Sequence, residues 1–337
     1  MVKAQRPQAQ APDGNGDPIC IRLGLRGQWD WTRMMSIQRI QRFLRKTPEQ
    51  RRLTERFAAT MWLAKLPLAP HRVYLRVDTD ELVDFWWSYF PATFSSAKSL
   101  FDYWGDDVGE LCFLWKFLRP GMTFLDVGAY HGIYAIIGAK RMGPEGHVVA
   151  FEPSPRDRRR LKLHLWCNGI KTVKVEPYAV TSERGKASLL VVVDGYTNMN
   201  SLRQPAVDHP VKHVEVETTP LDEYLKYSHT DIVDLVKIDA EGGELEIFRG
   251  ADRLLGRLRP LIICEVLDKV TAQWGYPACK IVSQLKSYDY EWFDILQDGR
   301  LRPHRFRNDY PDVRNYLAAP REKKDRLLPL LSPEAGS

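Results

Sequence analysis

The sequence predicts a doubly wound α/β fold with a parallel sheet, on three observations. From about residue 121 onward, short apolar runs alternate with amphipathic stretches of helix length. The first run ends in a glycine-bearing turn, Asp126-Val-Gly-Ala-Tyr-His-Gly132. The second ends in Phe151-Glu152-Pro153, which places an acidic side chain at the close of a strand.

The elements follow in order. Residues 1–18, rich in Gln, Pro, Gly and Asp, read as a disordered tail. Residues 19–72 read as a basic helical extension. Met34, Ile37, Ile40, Phe43 and Leu44 recur at helical spacing, and Thr47-Pro48-Glu49-Gln50 supplies the cap and first turn of a second helix. Residues 73–119 read as an aromatic-rich lead-in or cap, with a strand at Val73–Val77 and a mostly helical pattern over 81–118. Pro120-Gly121 punctuates the chain. Strands are then predicted at 123–127, 146–151, 173–180, 235–238, 261–266 and 290–296. Helices are predicted at 133–141, 155–167, 244–255 and 279–288, and segments 186–193 and 211–218 form an inserted β-hairpin with a long tip. The main domain spans 120–320, and 321–337 is a C-terminal tail.

The charge is uneven. Residues 1–72 hold 14 Lys/Arg against 5 Asp/Glu, net +9, and the other 265 hold 35 against 38, net −3. The 44% hydrophobic content over 337 residues excludes a disordered or fibrous chain and suffices for a core without disulfides or structural metal. The five cysteines (Cys20, Cys112, Cys167, Cys264, Cys279) have no metal-ligand spacing, and Cys112, Cys167 and Cys264 read as buried thiols. Residues 1–16 lack the apolar core of a signal peptide, and no stretch reaches ~18 apolar residues. A cytoplasmic protein is the expectation.

The two strand ends form a nucleotide-binding constellation. Gly128 and Gly132 permit a tight turn and close ligand approach, and Glu152, 20 residues past Gly132, is placed to bind ribose hydroxyls. The turn lacks the G-x-G-x-x-G of a dinucleotide site, and Asp126 would sit poorly beside a pyrophosphate. A carboxylate here suits a cofactor carrying an amine and a sulfonium.

At this point the stretch 120–320 resembles the FkbM family of S-adenosylmethionine-dependent methyltransferases. The resemblance rests on Asp126–Gly132, Ala150-Phe-Glu-Pro-Ser154, Asp234-Leu-Val-Lys-Ile-Asp-Ala-Glu-Gly242 with Glu244 and Gly250-Ala251, Arg259-Pro260 leading to Glu265-Val266, and Asn315-Tyr-Leu-Ala318. It implies a class I methyltransferase (Rossmann-like) sheet. It also implies S-adenosylmethionine held by Asp126, Gly128, Ala129, Tyr130, Gly132, Glu152, Pro153 and Asp239. One departure is Tyr130, where relatives commonly carry Gly or Asn.

The implied reaction moves a methyl group, most often to a hydroxyl oxygen of a small molecule, natural product or glycan. It needs in-line alignment and removal of the hydroxyl proton. Asp239 and Glu241 are candidate catalytic carboxylates, one orienting and one accepting the proton. Alternatively Glu241 caps the next helix and Asp239 holds a loop, or the pair binds a divalent cation. His131 is a further candidate base, or a packing residue. Lys237 either pairs with an acid or touches substrate. Asn200 and Ser201, at the tip of the 194–210 insertion, read as substrate-contacting lid residues or as a solvated loop.

The Arg-rich stretch 30–65 reads as a solvated face, or as a contact for an acidic carrier or anionic surface. Nucleic acid is disfavoured because no known binding module is present. Exposed aromatics in 81–118 admit a homodimer. A nucleic-acid methyltransferase and a non-catalytic binding module remain as alternatives to an O-methyltransferase.

Overall fold

The computed structural model describes residues 70–78, 81–88, 108–193 and 197–332. The expected tail and basic helices over 1–69, and with them the carrier or anionic-surface contact at 30–65, lie outside the described residues. Among the described residues no helix is long and apolar enough to cross a membrane.

An eight-stranded sheet forms the centre. Its parallel half comprises β3 (Thr123–Val127), β4 (His147–Phe151), β5 (Val173–Glu176), β9 (Leu235–Ile238) and β10 (Leu261–Glu265). Beyond β10 the sheet turns antiparallel through β13 (Asn315–Pro320), β11 (Tyr290–Ile295) and β12 (Leu301–Pro303), giving the order β12-β11-β13-β10-β9-β3-β4-β5. The predicted parallel sheet is therefore parallel over five strands only. The chain reaches β13 through the β11–β12 hairpin, so it enters from the opposite end.

Strands β3, β4 and β5 progress outward one way, and β9 and β10 the other. The order reverses between β3 and β9, which opens a crevice at their carboxyl ends. Both faces of the sheet are covered. On one side lie α1 (Val108–Phe117), α2 (Ile133–Met142) and α3 (Pro155–Cys167). On the other lie α4 (Leu221–Tyr227), α5 (Glu244–Arg249) and α7 (Cys279–Lys286), with the short α6 (Asp268–Thr271) near them. Burial on both faces explains why β3 after Thr123, and β9, are apolar apart from Asp126 and Lys237.

The inserted hairpin is present as β7 (Gly185–Val192) and β8 (Val211–Thr219), paired over the full length of β7. The predicted strand 173–180 breaks in two, and its second piece, β6 (Ala179–Val180), leaves the main sheet to pair parallel with β8. Helix α5 ends at Arg249 rather than 255. Gly250 follows, so close to the main chain of Thr181 that an added Cβ would lie 2.7 Å from the Thr181 carbonyl oxygen.

The helical expectation for 81–118 holds only for α1. Residues His71–Asp78 (β1) and Glu81–Trp87 (β2) form an antiparallel hairpin instead, while 89–107 lie outside the described residues. Phe85 and Trp87 are buried and Trp86 is exposed, so a strand period was masked by aromatic residues on both faces. The hairpin is fixed to α3. Trp87 stacks on His164 with ring centroids 3.9 Å apart, the Ser88 amide donates to His164 Nε2, and Asn168 bonds both main-chain groups of Trp86. Cys112 and Cys264 are buried, but Cys167, the last residue of α3, is partly exposed. Residues 321–330, read as part of a tail, form 3₁₀ turns that bury Leu327 and pair Arg259 with Glu322.

Trp87 is fully buried and in ring contact. Trp87→Ala is expected to cost ~3–5 kcal/mol in chemical denaturation, and Trp86→Ala only ~0.5 kcal/mol.

Candidate functional site

The crevice at the strand reversal opens into a cavity of about 340 Å³. Its wall begins where β3 ends. The amides of Gly128 and Ala129 both donate to the Phe151 carbonyl, and the Asp239 amide donates to the Val127 carbonyl, so three strand ends are laced together. Gly128 has φ 78°, and a Cβ there would lie 1.8 Å from the Asp239 carbonyl oxygen. Only glycine fits. Gly132, at φ 87°, instead packs against the Leu161 side chain of α3.

Of the residues assigned to the cofactor, Gly128, Tyr130, Glu152, Pro153 and Asp239 line the cavity, while Asp126, Ala129 and Gly132 do not. Asp126 is fully buried. Its carboxyl oxygens have no hydrogen-bond partner among the described residues, and burial raises its pKa to about 6 against the pull of Lys237. Glu152 accepts from the amides of Tyr130 and Ser154, at 2.8 Å each. Burial, and then the charge of Asp157, raise it to about 8. Tyr130 adopts φ 48°, a left-handed conformation uncommon for a residue other than Gly, Asn or Asp. Its hydroxyl lies 2.7 Å from Thr197 Oγ1, so the departure at this position ties the turn to the insertion loop.

On the reaction side, Asp239, Glu241 and Glu265 all line the cavity. Asp239 forms an ion pair with Lys237 at 2.9 Å. Lys237 is buried, lies over the Tyr134 ring and does not line the cavity, so the ion-pair alternative is the one observed. Glu241, with φ 51°, has its pKa raised well above the carboxylate range by burial, then by Asp239 and Glu244. The helix-capping alternative for Glu241 is not observed, since Gly243 holds the cap position of α5 and no side chain caps it. Glu244 Oε1 accepts from the amides of Ala240 and Gly242 and closes the turn.

His131 is buried and does not line the cavity. It stacks on Tyr130, contacts Asp157 at 3.2 Å, and is lowered to about 4 by burial despite that partner. Hydrogen bonds from His131 and Arg156 hold Asp157 below its usual range, although burial opposes them.

Asn200 and Ser201 do line the cavity, but their polar atoms are occupied. Asn200 Oδ1 accepts from the Val192 amide and its Nδ2 donates to Asp157. Ser201 Oγ donates to the Glu241 carbonyl at 3.1 Å. Arg156 adds bonds to the carbonyls of Val192 and Thr197. The loop expected to touch substrate is thus fastened across the cavity by these two residues.

Glu265, Asn315 and Trp274 also line the cavity; the first two stand in motifs quoted above without an assigned role, and Trp274 carried no signal. Glu265 ends β10 opposite Asn315 on β13, and Glu265 Oε2 and Asn315 Oδ1 have no partner among the described residues. Glu265 is raised well above its usual range by burial, then by Asp239 and Glu241. Its place at a strand end beside β9 was the available signal. No group of three or more His, Cys, Asp or Glu among the described residues is arranged to hold a metal ion.

The site fits S-adenosylmethionine on its own geometry. Gly128 leaves a groove that a side chain would fill, Phe151, Tyr178 and Val180 give apolar walls for a flat ring, and Glu152 borders them with a carboxylate.

Residues 126–326 match the Methyltransferase FkbM domain. Methyltransferase 1 of Beauveria bassiana is 24% identical over 169 residues, covering 44% of this chain and 66% of that protein. The 2-O-methyltransferase NoeI of Sinorhizobium fredii is 23% identical over 187 residues, 51% of this chain and 74% of that protein. AMB antimetabolite synthetase AmbE of Pseudomonas aeruginosa is 24% identical over 220 residues, 55% of this chain but 10% of that protein. The chain therefore spans a small part of AmbE and just under two thirds of the Beauveria protein. Among solved structures, a SAM-dependent O-methyltransferase from Thermotoga maritima aligns with TM-score 0.32 and 13% identity, over 64% of each chain.

The two turn glycines differ in what surrounds them. Gly128→Ala is expected to cost ~1–3 kcal/mol or more, since main chain must move. Gly132→Ala should cost less, because a Leu161 side chain can yield. Urea denaturation of both variants ranks them.

Proposed function

The chain belongs to the FkbM family of S-adenosylmethionine-dependent methyltransferases, and from that premise we propose that it methylates a hydroxyl oxygen of a small molecule, natural product or glycan. The observation that carries the reading is the carboxylate edge at Asp239 and Glu241, which faces the same cavity as Gly128 and Glu152.

When bound, S-adenosylmethionine supplies an electrophilic methyl group on a sulfonium. This chain's residues do the rest. Gly128 and Tyr130 border the cofactor, with Glu152 receiving ribose hydroxyls and Phe151, Pro153 and Tyr178 enclosing the base. Asp126 contributes a buried negative charge behind the turn rather than a direct contact. Asp239, tied to Lys237, orients the reacting groups. Glu241 would accept the hydroxyl proton as the methyl carbon exchanges its bond to sulfur for one to the acceptor oxygen and the thioether leaves, and its raised proton affinity suits that task. The loop 197–202 covers the cavity and limits water. The O-methyl product of NoeI, given by its name, is consistent with a hydroxyl acceptor.

Calorimetry should show S-adenosylmethionine binding to the wild type, and absence of binding would end this reading. Ribose hydroxyls donate to ionised Glu152, whose pKa in the free protein is raised to about 8. Affinity should therefore increase with pH through that value and level off above it. Glu152→Gln should flatten the profile and weaken binding about tenfold. With radiolabelled cofactor and a panel of hydroxyl acceptors, Glu241→Gln should reduce methyl transfer by ~10²–10⁴ while leaving cofactor affinity within a few-fold. Equal activity in Glu241→Gln would remove it as the base.

A further inference from the structure

The turn that carries Glu241 is held from outside by side chains that are distant in sequence. Glu241 has φ 51° and Gly242 φ 93°, two successive left-handed residues, of which the first is not glycine. A non-glycine residue keeps such a conformation only where its surroundings impose it. The surroundings here are specific. The Glu241 carbonyl accepts two hydrogen bonds, from Ser201 Oγ at 3.1 Å and from Trp274 Nε1 at 3.0 Å. The next carbonyl, Gly242, accepts from the Tyr276 hydroxyl at 2.5 Å. The Trp274 ring also closes over the turn, since a Cβ on Gly242 would lie 2.5 Å from its Cδ1. From the insertion loop, the Arg203 guanidinium lies 5.4 Å from the centre of the same ring.

Ser201 is buried and cannot shift freely, because its main chain exchanges two hydrogen bonds with Leu190 of β7. Three separate elements thus converge on one peptide group: the insertion loop through Ser201, the segment after α6 through Trp274, and the β9–α5 turn itself.

We propose that Ser201 and Trp274 are positioning residues for methyl transfer, which hold the Glu241 carboxyl at the reaction edge by bonding its main-chain carbonyl. The proposal rests on the reading of Glu241 as proton acceptor. It gives the loop a task besides covering the cavity, since fastening Ser201 and aiming Glu241 are one event.

The carboxyl so held faces charges from every side. Asp239 and Glu244 lie on its own turn and helix, Lys237 on β9, Glu265 on β10, Lys269 on α6, and Arg203 on the loop beside Trp274. The acids and burial raise its proton affinity, and the lysines oppose them. Releasing the carbonyl lets the turn leave its left-handed conformation and carries the carboxyl toward water. Its titration midpoint then falls.

The test needs no acceptor substrate. The full chain, labelled with ¹³C-glutamate, is titrated by NMR, and the Glu241 carboxyl signal is identified by its loss in Glu241→Gln. The wild-type midpoint is expected above the ordinary carboxylate range. Ser201→Ala and Trp274→Phe should each lower it by about one pH unit or more, while Ser201→Thr, which keeps the hydroxyl, restores it. Trp274→Phe keeps an aromatic side chain beside Gly242 and Gly243 while losing the N–H and part of the ring area, so it tests the hydrogen bond at a site other than Ser201 if Ser201→Ala folds poorly. Unchanged midpoints in Ser201→Ala and Trp274→Phe, with thermal stability alone reduced, would overturn the proposal. Failure of the wild type to bind S-adenosylmethionine would instead defeat the methyltransferase reading, and the titration shifts would stand apart from it.

Discussion

The molecule is organised around one close approach, that of Gly128 to the Asp239 main chain. The absence of a side chain at Gly128 lets the ends of β3 and β9 meet where the sheet reverses its winding. Because the Val127 carbonyl takes the Asp239 amide and the Phe151 carbonyl takes two amides from the turn, three strand ends share one rigid frame. The apolar strands beneath make that frame stiff, and the carboxylates of Glu152, Asp239 and Glu241 are carried on it. The spacing of Glu152 and Asp239 is set by the strand ends, and the place of Glu241 by the turn that Ser201 and Trp274 bond.

The same frame explains the unusual charges. Asp126 and Lys237 are register neighbours in the middle of a doubly covered sheet, where apolar residues are the rule. Lys237 answers two carboxylates at once, Asp239 by contact and Asp126 through its field. A buried lysine with both acids removed would carry a large desolvation cost, and so would the fully buried Asp126 without Lys237, whereas Asp239 reaches the cavity. The cluster stands or falls together, which ties the sheet's interior to the chemistry at its edge.

Sequence reading found those parts of the site that lie next to each other along the chain. Gly128, Tyr130, Glu152, Asp239 and Glu241 follow directly from strand ends, and period and punctuation mark strand ends well. Glu265 and Asn315 stand in the quoted motifs, but their pairing was out of reach, since 50 residues separate them and only the antiparallel register of β10 and β13 puts them side by side. Trp274 follows a four-residue helix with no periodic signal. The β2 strand was missed because Phe85, Trp86 and Trp87 hide a period of two behind uniform chemistry. Asn200 and Ser201 line the cavity, and their polar groups bond Val192, Asp157 and the Glu241 carbonyl, which spacing along the chain does not reveal. Sequence shows that a polar side chain is present, and only coordinates show that its hydrogen bonds are already spent.

The fastening of the insertion loop divides its residues into two kinds. Thr197, Asn200 and Ser201 are committed to Tyr130, Asp157 and the Glu241 carbonyl. Asn198, Met199 and Leu202 border the cavity between and beside these anchors. A change at an anchor loosens the frame, whereas a change between anchors reshapes the chamber and leaves the frame intact. Thr197, Asn200 and Ser201 therefore act as rivets of the cavity wall, and Asn198, Met199 and Leu202 as its exchangeable panels.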